Sequence, residues 1–385
     1  MQLSVCFLFA CIVMLKGIDN VSNGGKAMSS IEKKKLAIFF AVAFGVTAVM
    51  AIFMAIGLKS GKDLTAFVNT QMTYPACGVI LGMLLFDRKE KKLPIVGFTA
   101  FLVTSVIMMV IAVISAFAPH TMIPSPAGEV SNWNIYSQYV LLAGSVVAYL
   151  AFWICGREKR ENAGLSRKNV ILSIALAFLF VFLFTARFYL ANLVANVAYG
   201  RSVFDFAGLN ASVLNLGTWI NAAVVMINFP ITMIAFLGEE YGWRYYLQPI
   251  MQTKFGLRLG VVLVGVIWGV WHTAADYMFY STTTGPQLLV TQILTCVSMG
   301  IFFGYAYMKT GNIWLIAIMH FINNNFVVLF TGGDVNVLQN QSVAWSDMPI
   351  MIIRSLIFAV FILAPIFNRP KDTAPSVDET QTMAS

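Results

Sequence analysis

The chain has 385 residues, of which 59% are hydrophobic and only 11% are charged. Because soluble domains carry about 25% charged residues, this composition excludes an ordinary soluble protein and predicts one whose solvent is the lipid bilayer. The net charge of +8 does not indicate a nucleic-acid partner, because the basic residues lie in short connections between apolar runs.

Apolar segments close to the roughly 20 residues that a spanning helix needs follow one another along the chain. Backbone groups within lipid must form their hydrogen bonds internally, so helices are expected. The predicted fold class is therefore all-α, a polytopic transmembrane bundle of about ten spanning helices. The ten segments are 36–58, 69–86, 94–117, 134–155, 170–194, 214–237, 259–280, 286–308, 312–331 and 349–367.

Lysine and arginine concentrate in every second connection between these segments. The other connections contain only Lys59, Lys62 and Arg201. By the positive-inside rule, this asymmetry places both chain ends in the cytoplasm of a multi-pass cell-membrane protein, which we expect to be in a bacterial plasma membrane. The basic connections are those around residues 33–35, 88–92, 157–168, 244–258, 309 and 369–371.

These patterns divide the chain into five parts. Residues 1–15, at the start of the first part, are apolar but short, and a signal segment, a re-entrant piece and a later start at Met28 are all open for them. The last part is polar and expected to be disordered. In order, the parts are an N-terminal segment (1–35), N-terminal membrane helices (36–200), a membrane core with polar motifs (201–335), a last membrane helix (336–367) and a cytoplasmic tail (368–385).

The stretch LGEEYGWRYYLQP places two adjacent glutamates and an arginine directly after an apolar segment without charges. Glu240 and Arg244 are four residues apart, so on a helix they can pair. Glu239 is rotated from Glu240 by roughly 100°. We therefore expect one carboxylate to hold the arginine and the other to face a site.

Two of the three histidines, His272 and His320, lie inside predicted spans, where ionisable groups are rare and usually functional. Asp276 follows His272 by four residues, and Asn324 follows His320 by four. Since such pairs share a helical face, we expect Glu239, His272, His320 and Asn324 to converge on a cavity that opens toward the cytoplasm.

These residue types permit hydrolysis. A carboxylate can take a proton from water, a histidine can position that water, and an amide and a second imidazole can donate to an oxyanion. Glutamate and histidine can also bind zinc, although the HExxH signal is absent. Structural interpretations remain open: hydrogen bonds between helices for the histidines, an ion pair for Glu240 and Arg244, and a supporting role for Asp276.

Three further residues are interpreted as structural. Trp268, four residues before His272, is expected to pack in the core or at an interface. Arg187 and Arg354 lie near predicted helix ends, so we expect their side chains to extend toward the membrane surface.

The order Glu-Glu-x-x-x-Arg, aromatic-x-x-x-His and His-x-x-x-Asn resembles the CPBP intramembrane proteases. This family groups the type II CaaX prenyl proteases (Rce1-like) with bacteriocin-processing and immunity proteins, also called Abi. The resemblance covers about residues 215–330, and Trp268 stands where the family more often has Phe. The matching residues are Glu239, Glu240, Arg244, Trp268, His272, His320 and Asn324.

The resemblance implies a glutamate-dependent peptidase in which Glu239 activates water with His272, and His320 and Asn324 stabilise the oxyanion. Glu240 and Arg244 would support the site. The family is often labelled as metalloproteases, so zinc held by Glu239, His272 and His320 stays open. An amide is a poor zinc ligand, and we therefore expect no tightly bound cofactor.

The predicted function is an intramembrane endopeptidase that acts on a membrane-associated peptide or protein, in CaaX-type or bacteriocin and leader-peptide processing. One alternative is a non-catalytic immunity or partner-binding protein on the same scaffold. Another is a proton-coupled transporter, which is disfavoured because the charged motif has no repeat in the other half of the chain. The expected partners are membrane lipid and the substrate.

Overall fold

A computed structural model of the chain describes residues 28–125, 128–331 and 338–369. Most of the predicted N-terminal segment and the tail from residue 370 lie outside the described residues. The fold is an all-α polytopic bundle, as predicted, with about 80% of its residues in helices. Within the described ranges, the strands are confined to one antiparallel hairpin, β1 (Met122–Ser125) and β2 (Gly128–Ser131).

The helices vary widely in length, and several contain π-helical stretches. In chain order they are α1 (Ser30–Phe40), a π-helix (Ala41–Val46), α2 (Thr47–Lys59), α3 (Thr65–Gln71), α4 (Tyr74–Phe86), α5 (Ile95–Ser115), α6 (Asn132–Ile154), α7 (Arg157–Asn162), α8 (Val170–Ala198), α9 (Ala207–Val213), α10 (Leu216–Ile227), α11 (Phe229–Glu240), a π-helix (Tyr241–Leu247), α12 (Gln248–Phe255), α13 (Leu257–Trp271), α14 (Thr273–Ala275), a π-helix (Asp276–Tyr280), α15 (Gly285–Thr310), α16 (Ile313–Phe330) and α17 (Met348–Ala359). Short 3₁₀ turns, Trp345–Asp347, Val360–Leu363 and Pro365–Asn368, flank the last helix.

Eight helical segments in the described part of the chain are long and apolar enough to cross a membrane, or nine if the bent pair α9 and α10 counts as one span. Two of the ten predicted segments are instead broken. Segment 69–86 is divided between α3 and α4, and segment 214–237 between α10 and α11. In both cases a proline, Pro75 or Pro230, follows the break at the start of the next helix, where its missing N–H costs nothing.

A continuous helical rod from Phe229 to Phe255 runs through the bundle, formed by α11, the π-helix Tyr241–Leu247 and α12. Every residue from Met233 to Pro249 is buried. The rod packs against α4, α6 and α16. The charged motif that it carries is therefore enclosed by protein, whereas α8 exposes large side chains such as Phe178 and Phe182 to the surroundings.

Candidate active site

The two adjacent glutamates diverge, and they have different partners. Glu240 places one oxygen 2.8 Å from His320 Nδ1 and the other 3.3 Å from Arg244 Nε, and Glu240 and Arg244 are both fully buried. Glu239 accepts a hydrogen bond of 2.6 Å from the indole N–H of Trp268 and lines a cavity. The structure thus places one carboxylate with the arginine and the other at a cavity wall.

Close backbone contact sets the position of the glutamates. A Cβ atom added to Gly238 would lie 2.4 Å from the carbonyl oxygen of Met72, and one added to Gly242 would lie 2.3 Å from Cβ of Pro75. Only glycine leaves room for such an approach. The break between α3 and α4 therefore packs directly against the charged part of the rod, so the N-terminal helices help to hold the glutamates in place.

His272 ends helix α13, and its ring is oriented by a backbone hydrogen bond. Its Nδ1 lies 2.8 Å from the carbonyl oxygen of Trp268. Since a carbonyl only accepts, Nδ1 carries the proton and Nε2 is left with its lone pair. The neighbouring Trp271 donates to Ala43 O at 2.8 Å and to Thr47 Oγ1 at 3.0 Å, which anchors this helix end to the N-terminal half of the protein.

His320 and Asn324 lie one turn apart on α16. The Nδ1–H of His320 donates to Glu240, because a carboxylate only accepts, so its Nε2 points away from that glutamate. The side-chain oxygen of Asn324 accepts from Asn323 Nδ2 at 2.9 Å, which leaves the Asn324 amide N–H groups for another partner.

One cavity of about 320 Å³ joins the predicted residues. Glu239, His272, His320 and Asn324 line it, and so does Asp276. Glu240 and Arg244 do not, and they lie behind the wall as a buried ion pair. Asp276 is almost fully buried, and one of its carboxyl oxygens has no hydrogen-bond partner among the described residues.

Comparison with known proteins gives a family for this part of the chain. Residues 218–326 match the family described as type II CAAX prenyl endopeptidase Rce1-like. This segment is similar to the Rce1-like family. The resemblance inferred from the three motifs is thereby confirmed, and all of the motif residues lie within the matched range.

A curated relative is CAAX prenyl protease 2 of Methanococcus maripaludis, which is 24% identical over 168 residues. The alignment covers 41% of this chain and 59% of that protein, so the chain matches less than two thirds of the length of the relative. No solved structure matches this chain. With its helical spans, the chain is a multi-pass membrane protein.

Trp268 is buried as predicted, but it also contacts two of the candidate site residues, Glu239 and His320. Besides donating to Glu239, its ring lies 4.3 Å from the guanidinium carbon of Arg244 and 5.5 Å, edge to face, from the ring of His320. An indole N–H is a donor that phenylalanine lacks. A tryptophan in place of the more usual phenylalanine is the sequence signal that could have indicated the hydrogen bond from Trp268 to Glu239.

Replacing Trp268 with Phe is expected to lower kcat for the hydrolysis predicted from the sequence on the order of tenfold, with a smaller change in KM. The reason is that Glu239 would lose the charge-assisted hydrogen bond that orients it. Trp243→Phe is the matched control, because Trp243 is fully buried on the rod that carries Glu239 and its indole nitrogen has no hydrogen-bond partner in the described part of the chain. Equal kcat losses in the two variants would contradict a positioning role for Trp268.

Arg187 and Arg354 correct the prediction that their side chains extend toward the membrane surface. Both line the cavity instead. Helix α8 continues to Ala198, so Arg187 lies well inside it and not at its end. Its guanidinium group reaches inward, where it donates to Asn323 Oδ1 at 3.4 Å.

The predicted zinc ligands do not form a metal site in this conformation. Within residues 28–125, 128–331 and 338–369, no group of three or more His, Cys, Asp or Glu side chains is arranged to hold a metal ion. Glu239 is engaged by Trp268, and both histidines present only Nε2.

The cavity extends toward one end of the bundle. Its lining continues through Ala275 and Tyr280 to Leu338 and Gln341, and the N–H of Gln341 donates to Tyr280 O at 2.6 Å. The basic connections lie at the other end of the helices. The predicted cytoplasmic position of those connections and the predicted cytoplasmic opening of the cavity are therefore incompatible.

We expect the orientation given by lysine and arginine to hold and the cavity to face away from the cytoplasm. Ser342→Cys, beside the cavity end, and Lys309→Cys, in a basic connection, both place a thiol at an exposed position. In a background without the native cysteines, a membrane-impermeant maleimide added to intact cells should label only the thiol at position 342. Labelling of only the thiol at position 309 would reverse the orientation.

Proposed function

We propose that the protein is an intramembrane endopeptidase of the CAAX prenyl protease type, which hydrolyses a peptide bond in a membrane-associated substrate. The observation that carries this proposal is one cavity enclosed by membrane helices and lined by Glu239, His272, His320 and Asn324. A general base, a water-positioning imidazole and two oxyanion donors are the groups that amide hydrolysis needs.

In the proposed mechanism, water lies between the carboxylate of Glu239 and Nε2 of His272. Glu239 takes a proton from this water while the oxygen of the water forms a bond to the carbonyl carbon of the substrate. Asn324 donates to the resulting oxyanion through its side-chain N–H. When the C–N bond breaks, the proton held by Glu239 goes to the leaving amine, which restores the carboxylate.

His320 also donates to the oxyanion in this step. The positive charge of His320 is balanced by Glu240 on the other side of its ring. With Nδ1–H bound to Glu240, a donor at Nε2 requires the imidazolium form. Glu239 and Glu240 then carry two negative charges, and Arg244 and His320 carry two positive charges. The buried set is neutral in total, which limits the cost of placing four charges at membrane depth.

We further propose that this reaction requires no tightly bound metal. Asn324 shares a helical face with His320 and lines the same cavity, and an amide is a better oxyanion donor than a zinc ligand. The relative in Methanococcus maripaludis is named a CAAX prenyl protease, and by that likeness the substrate here is a CAAX-type peptide rather than a bacteriocin leader.

The deciding experiment is a cleavage assay in detergent with prenylated and unprenylated peptide libraries, comparing the wild type with Glu239→Ala. Cleavage by the wild type alone, followed by mass spectrometry of the products, is the expected result. Peptides left intact by both proteins would favour the non-catalytic or transport alternatives. Elemental analysis of the same active sample tests the metal: stoichiometric zinc, with activity lost on chelation and restored by zinc, would refute the metal-free mechanism only.

A further inference from the structure

Two arginines share the wall of the cavity with the proposed catalytic groups. Arg187 lies on α8 and Arg354 on α17, two helices that pack against each other. Both residues are half-buried, and their positive charges repel one another. Charged groups inside a membrane protein are costly and usually face a partner or a substrate pathway.

No carboxylate of the described residues balances these two charges. Arg187 contacts neutral groups: Asn323 Oδ1 at 3.4 Å, Met299 Sδ at 3.9 Å and the ring of Phe184 at 4.7 Å. Arg354 makes no hydrogen bond or ion pair with any residue that the structure describes. The cavity therefore presents two guanidinium groups that lack an anion.

The acidic residues that line the cavity do not pair with Arg187 or Arg354. Glu239 is bound by Trp268, and Asp276 has an unpartnered carboxyl oxygen instead of an arginine contact. The other buried carboxylate, Glu240, lies behind the wall with Arg244 and His320. The missing anion must come from outside the described chain.

We propose that Arg187 and Arg354 form a subsite for the C-terminal α-carboxylate of the substrate peptide. This proposal rests on the proposed function. Guanidinium groups bind carboxylates through paired, charge-assisted hydrogen bonds. Arg187 is linked to Asn323, which donates to Asn324, so the subsite lies two hydrogen bonds from a proposed oxyanion donor.

The geometry limits how far the carboxylate lies from the cleaved bond. One extended residue spans at most about 3.3–3.6 Å, and the cavity of about 320 Å³ is at the small end of ligand pockets. A cavity of this volume holds a chain end of only a few residues. The subsite thus selects substrates that are cut close to their C-terminus.

The test uses three versions of a library of short peptides: with a free C-terminal carboxylate, with a C-terminal amide, and amidated with Asp or Glu near the end. The wild type is expected to prefer the free acid over the amide on the order of tenfold to a hundredfold in kcat/KM. In Arg354→Gln and Arg187→Gln this ratio should fall toward one. Arg354→Lys, which keeps the charge, should retain part of it.

Arg157→Gln, on the exposed helix α7, is the control and should keep the wild-type ratio. Equal cleavage of acid and amide by the wild type would overturn the proposal, and so would variants that lower both rates equally. The wild type could instead prefer the amidated Asp or Glu peptides over the free acids and lose this preference in Arg354→Gln. That result would show that the arginines bind a side-chain carboxylate and would refute the α-carboxylate as the group bound.

A binding measurement separates failure of this subsite from failure of the proposed function. The melting temperature of Glu239→Gln protein is measured with the free-acid and amide libraries. Stabilisation by the acids alone, lost when Arg354→Gln is added, supports the subsite even if no peptide is cleaved. Cleavage without any acid preference in either measurement would leave the peptidase standing and refute the subsite.

Discussion

Glu239→Gln is expected to lower peptide cleavage by about 10²–10⁴-fold, the contribution that a general base makes. The variant should keep a melting temperature close to that of the wild type. Glutamine has nearly the same shape and still offers an oxygen to the indole N–H of Trp268, but its amide cannot take a proton from water. Turnover and thermal unfolding in detergent are the two measurements.

The control for Glu239→Gln is Glu129→Gln, which makes the same chemical change at an exposed position in β2. It should leave both quantities unchanged. If Glu239→Gln protein still cleaves peptides at more than a tenth of the wild-type rate, Glu239 is not the base and the mechanism fails. The similarity of the segment to the Rce1-like family would remain.

Glu240→Gln, unlike Glu239→Gln, is expected to lower stability. The loss should be about 3–5 kcal/mol, the cost of breaking a buried ion pair. Arg244 and Glu240 are both fully buried, and His320 also donates to this carboxylate. Removing its charge leaves Arg244 without its ion-pair partner, against the faces of Trp268 and Phe303. Melting temperature and the yield of folded protein measure the loss.

A double variant separates charge from packing in this pair. Arg244→Met combined with Glu240→Gln removes both charges, and it should be more stable than Glu240→Gln alone because no unpaired ion remains. If Glu239→Gln proves less stable than Glu240→Gln, the roles assigned to the two carboxylates are reversed.

Contacts set by local spacing were predictable from the sequence. Glu240 and Arg244 pair because they are one helical turn apart, and His320 and Asn324 line the same cavity for the same reason. The different directions of Glu239 and Glu240 follow from helix geometry alone. The fold class follows from composition, because long apolar runs have few alternatives to spanning helices.

Contacts between distant segments were not predictable from one sequence. The bond from Trp268 to Glu239 joins different helices, and so does the bond from His320 to Glu240. Periodicity does not show which way Arg187 points, since that depends on the neighbours of α8. The breaks before Pro75 and Pro230 were missed because hydropathy averages over a window and does not register a change of helix direction.

The hydrogen bonds from Trp271 to Ala43 and Thr47 limit which segments of the chain can be exchanged in a chimera. The motif residues lie within 218–326, yet the end of α13 is held by a helix far outside that range. Gly238 and Gly242 likewise fit against Met72 and Pro75, which lie outside the matched segment. The matched segment is therefore not a transplantable module, and a chimera that exchanges it must carry the complementary N-terminal helices from the same parent.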